Sequence, residues 1–305
     1  MNKNYKLQIL NESKKMWGGP HFEKSLIEWT FTQYTDRLFP FYFFECKMHG
    51  WGLTSRGFSV SKNRLEAIKK AFAEAWERLW FLHLNVLDTQ IIKFSSTNGF
   101  AAGLDNKMAL ENSERELAER AVLLTSWFSK IGWRKAGFAN LISNFLSKAI
   151  NLKGWQVDLF DLNSNIGNVK CGLLRHKTKG AVFDSCFNSN NKMAEEQVLL
   201  SLLKTLFFQT ETNPEYVFPE IGNPDDHRKF YSNIKNISAF DFCDLLINAN
   251  TSIYVEHKEQ TISKIVIDAS VDFPAVAYSV NPFWPQLKWG KVSIAGSNPW
   301  PHPLC

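Results

Sequence analysis

A chain of 305 residues, 45% hydrophobic and 14% aromatic, can bury a large core and is excluded from the disordered class. Its formal net charge of +5 comes with no stripe of Lys and Arg, which argues against a nucleic-acid partner and leaves an acidic small ligand compatible. Five scattered cysteines, Cys46, Cys171, Cys186, Cys243 and Cys305, form no C-x-x-C pair, which reads as reduced thiols in a cytosolic setting and not as a structural zinc site.

The first residues, "MNKNYKLQILNESKK", lack an apolar run of signal-peptide length. "VLLSLLKTLFF" (198–208) is too short to span a bilayer and carries Lys204. The expectation is a cytoplasmic protein with no membrane segment. "FPFYFFEC" (39–46) reads as a strand, and "GWGLTSRGFSVS" (50–61) as a Gly-punctuated turn leading into a helix. That helix is predicted from about Lys62 to His83, with Ile68, Phe72, Ala75, Trp76 and Leu79 as its buried stripe. "SSTNGFAAGLDN" (95–106) is turn-rich, and Asp105 is placed to cap a second helix over about 106–128, striped by Leu110, Leu117, Ala121 and Leu124.

"WQVDLFDL" (155–162) and "NVKCGLLRH" (168–176) read as strands of one sheet, and "AEEQVLLSLLKTLFFQ" (194–209) as a third long helix. "KIVIDA" (264–269) and "PAVAYSV" (274–280) read as strands again, echoing the strand–turn–strand pattern of 155–176. Helices and strands mix without strict alternation. The fold class is therefore α+β, or mixed α/β, with long helices packed on a mixed β-sheet. No Ser/Gly linker divides the chain, so 1–305 is taken as a single domain.

Two stretches carry the functional question. "AEAWERLW" (73–80) and "ERELAERA" (114–121) each hold Glu-x-x-Glu-Arg inside a predicted helix. At about 100° per residue, Lys70, Glu74 and Glu77 share one face opposite the apolar stripe. Met108, Asn112, Glu116 and Glu119 share the corresponding face of the second helix. Solvated faces explain this simply: Glu74 with Arg78, and Glu116 with Arg120, are acid-before-base pairs at i,i+4, worth roughly 0.2–0.5 kcal/mol each. The alternative is that the four carboxylates converge. Like charges in one cleft repel or take up protons, and a divalent cation relieves them. Mg²⁺ is held by a few carboxylates plus phosphate oxygens, so such a cluster implies a nucleotide.

In order and spacing, these residues resemble the YcaO family. Its members carry a helix with Ser-x-x-x-Glu-x-x-Glu-Arg, matched by "KAFAEAWER" (70–78). A Ser-Asn-Gly-x-Ala-Ala-Gly-like turn follows, matched by "STNGFAAG" (96–103), and leads to a second Glu-x-x-Glu-Arg, matched in "ERELAER". "DDHRKFY" (225–231) resembles a family Asp-His-x-x-x-Tyr element, and Pro299, Pro301 and Pro303 match the Pro-x-Pro-x-Pro tail of the azoline-forming branch. The resemblance covers about residue 45 to the end, leaving 1–45 as an extension of unclear role. It implies a YcaO-like fold and, for an active member, ATP- and Mg²⁺-dependent activation of a backbone amide in a ribosomally made precursor peptide. A Cys, Ser or Thr side chain then closes a thiazoline or oxazoline; relatives make thioamides or amidines. Glu74, Glu77, Glu116 and Glu119 would stand on the metal side, and Lys70, Arg78 and Arg120 toward the nucleotide. Pro299, Pro301, Pro303 and the terminal Cys305 would order the active site. The resemblance further implies a separate leader-binding partner protein, and members of the family often pair as homodimers.

Several positions depart from the family pattern. Lys70 stands where the family has Ser. Leu104 and Met108 stand where it has Asn and Glu, and Leu202 and Leu206 fall where it has Arg and Glu. Trp51 replaces the lysine of a frequent Gly-Lys-Gly. Leucine and methionine neither donate to phosphate nor ligate magnesium. An ammonium at Lys70, beside Glu74 and Glu77, would partly replace a cation's charge. Two readings therefore stand: a ribosomal-peptide cyclodehydratase or related amide-activating enzyme with impaired or altered ATP chemistry, and a catalytically inactive relative that binds peptide or scaffolds another modifying enzyme.

Overall fold

The computed structural model describes residues 7–17, 26–36, 39–86, 97–138, 141–187, 190–208, 229–244, 250–256, 258–270 and 272–285. In chain order its main elements are β1 (Leu7–Trp17), β2 (Leu26–Thr35), β3 (Tyr42–Gly50), β4 (Leu53–Ser61), α1 (Arg64–Val86), β5 (Phe100–Gly103), α2 (Asn106–Ser129), β6 (Arg134–Ala136), α3 (Leu141–Leu152), β7 (Trp155–Ser164), β8 (Gly167–His176), β9 (Gly180–Phe187), α4 (Asn191–Phe208), β10 (Ile262–Ile267) and β11 (Ala275–Val280). The α+β class holds. The named strands form three sheets, ordered β1-β2-β3-β4, β10-β11-β5 and β6-β7-β8-β9, and every pairing between them is antiparallel. Among the described residues no helix is long and apolar enough to cross a membrane.

The chain divides into two compact units, Met1–Glu116 with Ile262–Val280, and Leu117–Thr261 with Asn281–Cys305. The boundary falls inside α2, directly after Glu116, where no linker composition marks it.

In the first unit, the segment read as a turn into a helix is a hairpin turn followed by a full strand. Trp51 and Gly52 both take positive φ, 55° and 75°, the geometry of a two-residue hairpin loop whose twist matches its strands. β4 then runs antiparallel to β3 with Glu45 opposite Phe58. Its inward face is small: Ser55, Gly57 and Ser59 are buried. They lie on the equally small Ala67, Ala71 and Ala75 face of α1, and the Ser55 hydroxyl donates to the Ala75 carbonyl at 2.6 Å. At Gly57 a Cβ would run into the Ala71 carbonyl oxygen and the Ala75 nitrogen, so only glycine permits this approach.

Asn63 caps α1, its side chain accepting from the Glu66 N–H at 3.1 Å. The helix buries Trp76, Leu79 and Trp80 against Ile27, Trp29 and Phe31 of β2 and Phe44, Cys46 and Met48 of β3. The stretch 1–45, an extension of unclear role by sequence, supplies core through β2 and the start of β3. Ile68 and Phe72 from the expected stripe are only partly buried, at the margin of this core. Asp105 caps α2 as its position predicts, accepting from the Met108 N–H at 2.7 Å. The 264–280 strands are β10 and β11, and β11 pairs with β5, with Val276 opposite Ala102.

In the second unit, β7 and β8 pair over their full length, Trp155 opposite His176, as one sheet. Leu117, Ala121, Leu124 and Trp127 of α2 share a core with Phe160, Cys171, Leu173 and Phe183 of that sheet. α4 packs on β8, and Gly172 leaves room for Val198 and Leu202.

Gly57→Ala is expected to cost roughly 1–3 kcal/mol, the range for overpacking a closed interface. Urea unfolding should show a lower midpoint at unchanged slope; a midpoint equal to the parent's would contradict the close α1–β4 contact.

Candidate functional site

The site begins with a backbone problem. Among the described residues β4 ends its sheet, so alternate N–H and C=O groups point away from β3 with no neighbouring strand there. α1 fills that place with side chains. Glu74 accepts the Phe58 N–H at 2.9 Å through Oε2. Its Oε1 takes the Arg78 guanidinium at 2.6 Å. Arg78 also donates to the Arg56 carbonyl at 2.8 Å. The i,i+4 pair expected from spacing thus exists, and it supplies one acceptor and one donor to the strand edge.

The same solution recurs on β5, the edge of the second sheet. Glu77 Oε2 accepts the Ala102 N–H at 3.2 Å, and Asn112 Nδ2 donates to the Ala102 carbonyl at 2.9 Å. Burial raises the Glu77 carboxyl well above the ordinary carboxylate range, and the neighbouring Glu116 and then Glu74 carboxylates push it further; Arg78 and the Ala102 N–H act the other way. Glu77, Glu116 and Glu74 are therefore electrostatically joined within the first unit.

Glu119 has its contacts in the second unit. Its Oε1 accepts the Ser185 hydroxyl at 2.6 Å and the Arg120 guanidinium at 3.2 Å, while Oε2 accepts the Phe187 N–H at 3.0 Å. Phe187 ends β9, a third edge strand. Glu119 is buried, and Glu74, Glu77 and Glu116 are partly buried. These are not solvated helix faces.

Lys70 is not the counter-charge of Glu74. Its ammonium pairs with Glu66, one turn back, at 2.6 Å, because Glu74 is already held by Phe58 and Arg78. Trp51 stacks on His83 at 4.1 Å between ring centroids and packs edge-on against Trp80, closing an aromatic cluster. Leu104 and Met108 are exposed, Leu202 is fully buried, and Leu206 is partly buried. Pro299, Pro301, Pro303 and Cys305, and residues 225–228, lie outside the described residues. Asn112 and Ser185, both hydrogen-bonded at the strand edges, were not singled out from sequence; Asn112 stands one turn before Glu116 on the same helix face, which was the available signal.

Among the described residues no group of three His, Cys, Asp or Glu side chains could hold a metal ion by itself. Mg²⁺ commonly takes only one or two carboxylates and fills its octahedron with water and phosphate oxygens. Glu77 and Glu116, whose charges act on one another, have the donor chemistry for that. The positions matched to phosphate-side polar groups do not, being apolar at Leu104, Met108, Leu202 and Leu206.

No protein-family model and no curated protein matches the chain. Solved structures do. YcaO from Methanopyrus kandleri, bound with AMPPCP and Mg²⁺, superimposes with a TM-score of 0.56 at 14% identity, covering 81% of this chain and 84% of that one. A chain of the E. coli microcin synthetase McbBCD complex with pro-MccB17 bound gives 0.55 at 13% identity, covering 82% and 86%. A heterocyclase in complex with substrate and cofactor gives 0.53 at 14% identity, covering 68% of this chain and 33% of that one. The chain has a YcaO-like fold.

The raised Glu77 carboxyl fixes a pH dependence. A carboxyl whose folded pKa exceeds its unfolded value binds more protons when folded. Its contribution to stability is present in full below about pH 4.3, the unfolded value. It is lost as pH rises through the folded pKa. Glu77→Gln keeps an acceptor for Ala102 and removes the charge. It should unfold at higher urea than the parent at pH 8 without added metal, with the gap closing toward pH 4. Equal midpoints across that range would contradict a strained carboxylate at this position.

Proposed function

We propose that this protein acts in ribosomal-peptide modification, on a YcaO-like frame that holds a divalent cation at Glu77 and Glu116 and has reduced phosphate handling. The carrying observation is the pressure of Glu116 and Glu74 on the buried Glu77 carboxyl. The substrate class is a precursor peptide whose backbone amide is activated for attack by a Cys, Ser or Thr side chain, with a separate leader-binding protein as partner. When bound, Mg²⁺ would neutralise phosphate charge and polarise the reacting oxygens. The chain's own part is to hold Glu77 by the Ala102 N–H, with Asn112 fixing the same residue's carbonyl. Arg78 and Arg120 are proposed to act toward the nucleotide, and Arg78 is already tied to Glu74 and Arg56. Pro299, Pro301, Pro303 and Cys305 are proposed to order the active site, as the family tail does.

One observation favours the inactive-scaffold reading: Leu202 is fully buried against β8, so that helix face is spent on packing. Thermal unfolding separates the readings. Magnesium alone at millimolar concentration should raise the parent's melting temperature and leave Glu77→Gln unmoved, with little added by ATP. A site holding ATP at a hundredfold above its Kd would add about 2.7 kcal/mol, and that result would restore an intact ATP-dependent cyclodehydratase. No response to Mg²⁺ would leave the scaffold. Mass loss of one water per ring in a co-expressed Cys/Ser/Thr-rich peptide, abolished by Glu77→Gln, is the expected product signature.

A further inference from the structure

α3 turns Leu146, Ala149 and Ile150 inward and packs against β7 and α4. Its other side carries two exposed apolar residues, Phe145 at 47% and Leu152 at 77% of full exposure. They stand two helical turns apart, and exposed Lys148 lies between them on the same stripe. One exposed leucine needs no explanation, whereas apolar residues grouped among polar ones mark a surface that meets a partner. The helix ends in the turn at Lys153 and Gly154, which abuts the β8–β9 hairpin: a Cβ on Gly154 would stand 3.0 Å from His176 Nε2. That hairpin turn carries exposed Lys177 and Lys179. Residues 141–183 contain the bases Lys148, Lys153, Lys170, Arg175, Lys177 and Lys179 against two acids, Asp158 and Asp161. Both acids are engaged, Asp158 with Lys135 and Arg175, Asp161 with Arg134 and Lys170. Among the described residues Lys148, Lys177 and Lys179 form no ion pair. The corner is therefore apolar along α3 and unbalanced in positive charge at the hairpin. Burial and then the Lys179 charge hold the His176 imidazole below its ordinary pKa, so His176 adds no charge at neutral pH.

We propose that α3 and the β8–β9 hairpin form a docking surface for an acidic amphipathic helical peptide segment, its apolar residues seated on Phe145 and Leu152 and its carboxylates on Lys148, Lys177 and Lys179. Two apolar anchors two turns apart match a helix whose own apolar residues recur at i and i+7. Lysine ammoniums are point charges on flexible stems and follow carboxylates spread along such a helix, whereas planar guanidinium groups are the better match to phosphate. The arginine at this corner, Arg175, is already held by Asp158 and Asp244. A nucleic acid is gripped along a track of phosphates and gains nothing from an exposed leucine. The lysines give encounter rate and register, and the apolar stripe gives residence. All of these residues lie in the second unit. The surface stands apart from Glu77 and Glu116 and does not depend on the cation reading above.

The test is fluorescence anisotropy on the full chain with a labelled synthetic peptide of about twenty residues, long enough to form helix, built from Glu, Ala and Leu with the leucines at heptad spacing. A second peptide carries Gln in place of every Glu. The Glu peptide should bind at least about tenfold more tightly than the Gln peptide, and raising salt from about 0.05 to about 0.5 M should remove most of that preference. Lys177→Glu combined with Lys179→Glu should weaken the Glu peptide by at least about tenfold and abolish its preference. Leu152→Ser should weaken both peptides by about threefold to tenfold and leave the preference in place. Where the charge-reversed pair does not fold, Lys177→Gln with Lys179→Gln is read in its place, with the preference again expected to fall. The lysine variants should respond to Mg²⁺ in thermal unfolding as the parent does, so failure here and failure of the cation reading are separable. Equal binding of the two peptides by the parent, or binding of neither, would overturn the proposal. So would phosphatidylserine vesicles or duplex DNA that displace the Glu peptide and bind more tightly through the same lysines, which would make the corner a membrane or nucleic-acid contact.

Discussion

A backbone N–H at an open sheet edge must find an acceptor, and in this protein three such groups find glutamate. Phe58 on β4, Ala102 on β5 and Phe187 on β9 donate to Glu74, Glu77 and Glu119. Hydrogen bonds to an ionised group are about twice as strong as neutral ones, so each fixes a helix against a strand. The glycine at position 57 and the alanine face of α1 bring helix and strand close enough for the first of these bonds. Packing of small residues therefore comes before the electrostatics of the site.

Placing acids by this means has a consequence for chemistry. Glu77 is drawn inward to Ala102, away from water and toward Glu116 and Glu74. Its negative charge is then disfavoured, and either a proton or a divalent cation relieves it. Leu104, Met108, Leu202 and Leu206 offer apolar side chains where the family resemblance expects polar ones, and the proposal of reduced phosphate handling rests on that contrast.

Local rules made much of the fold legible. The 3.6-residue stripe located α1 and α2 within a few residues, and a short polar side chain ahead of an apolar run identified Asp105 as a cap. Alternation located β7, β8, β10 and β11. β4 was hidden because its buried face is Ser55, Gly57 and Ser59, which carry no apolar signal and gain their burial only from the alanines of α1. The site was half legible. Spacing put Glu74 and Glu77 on one face and Glu116 and Glu119 on another, but cannot distinguish a solvated face from one turned to a strand edge. Strand edges are tertiary facts, set by which strand ends a sheet. The fate of Lys70 was hidden for the same reason, since its partner was decided by Phe58 occupying Glu74.

The central claim is that Glu77 is a strained carboxyl, its charge disfavoured by burial and by Glu116 and Glu74. Carbon-13 NMR titration of the Glu77 side chain, with and without Mg²⁺, tests it most directly. The account predicts a midpoint clearly above that of ordinary glutamates, falling when Mg²⁺ is added. An ordinary midpoint, unmoved by the metal, would contradict it.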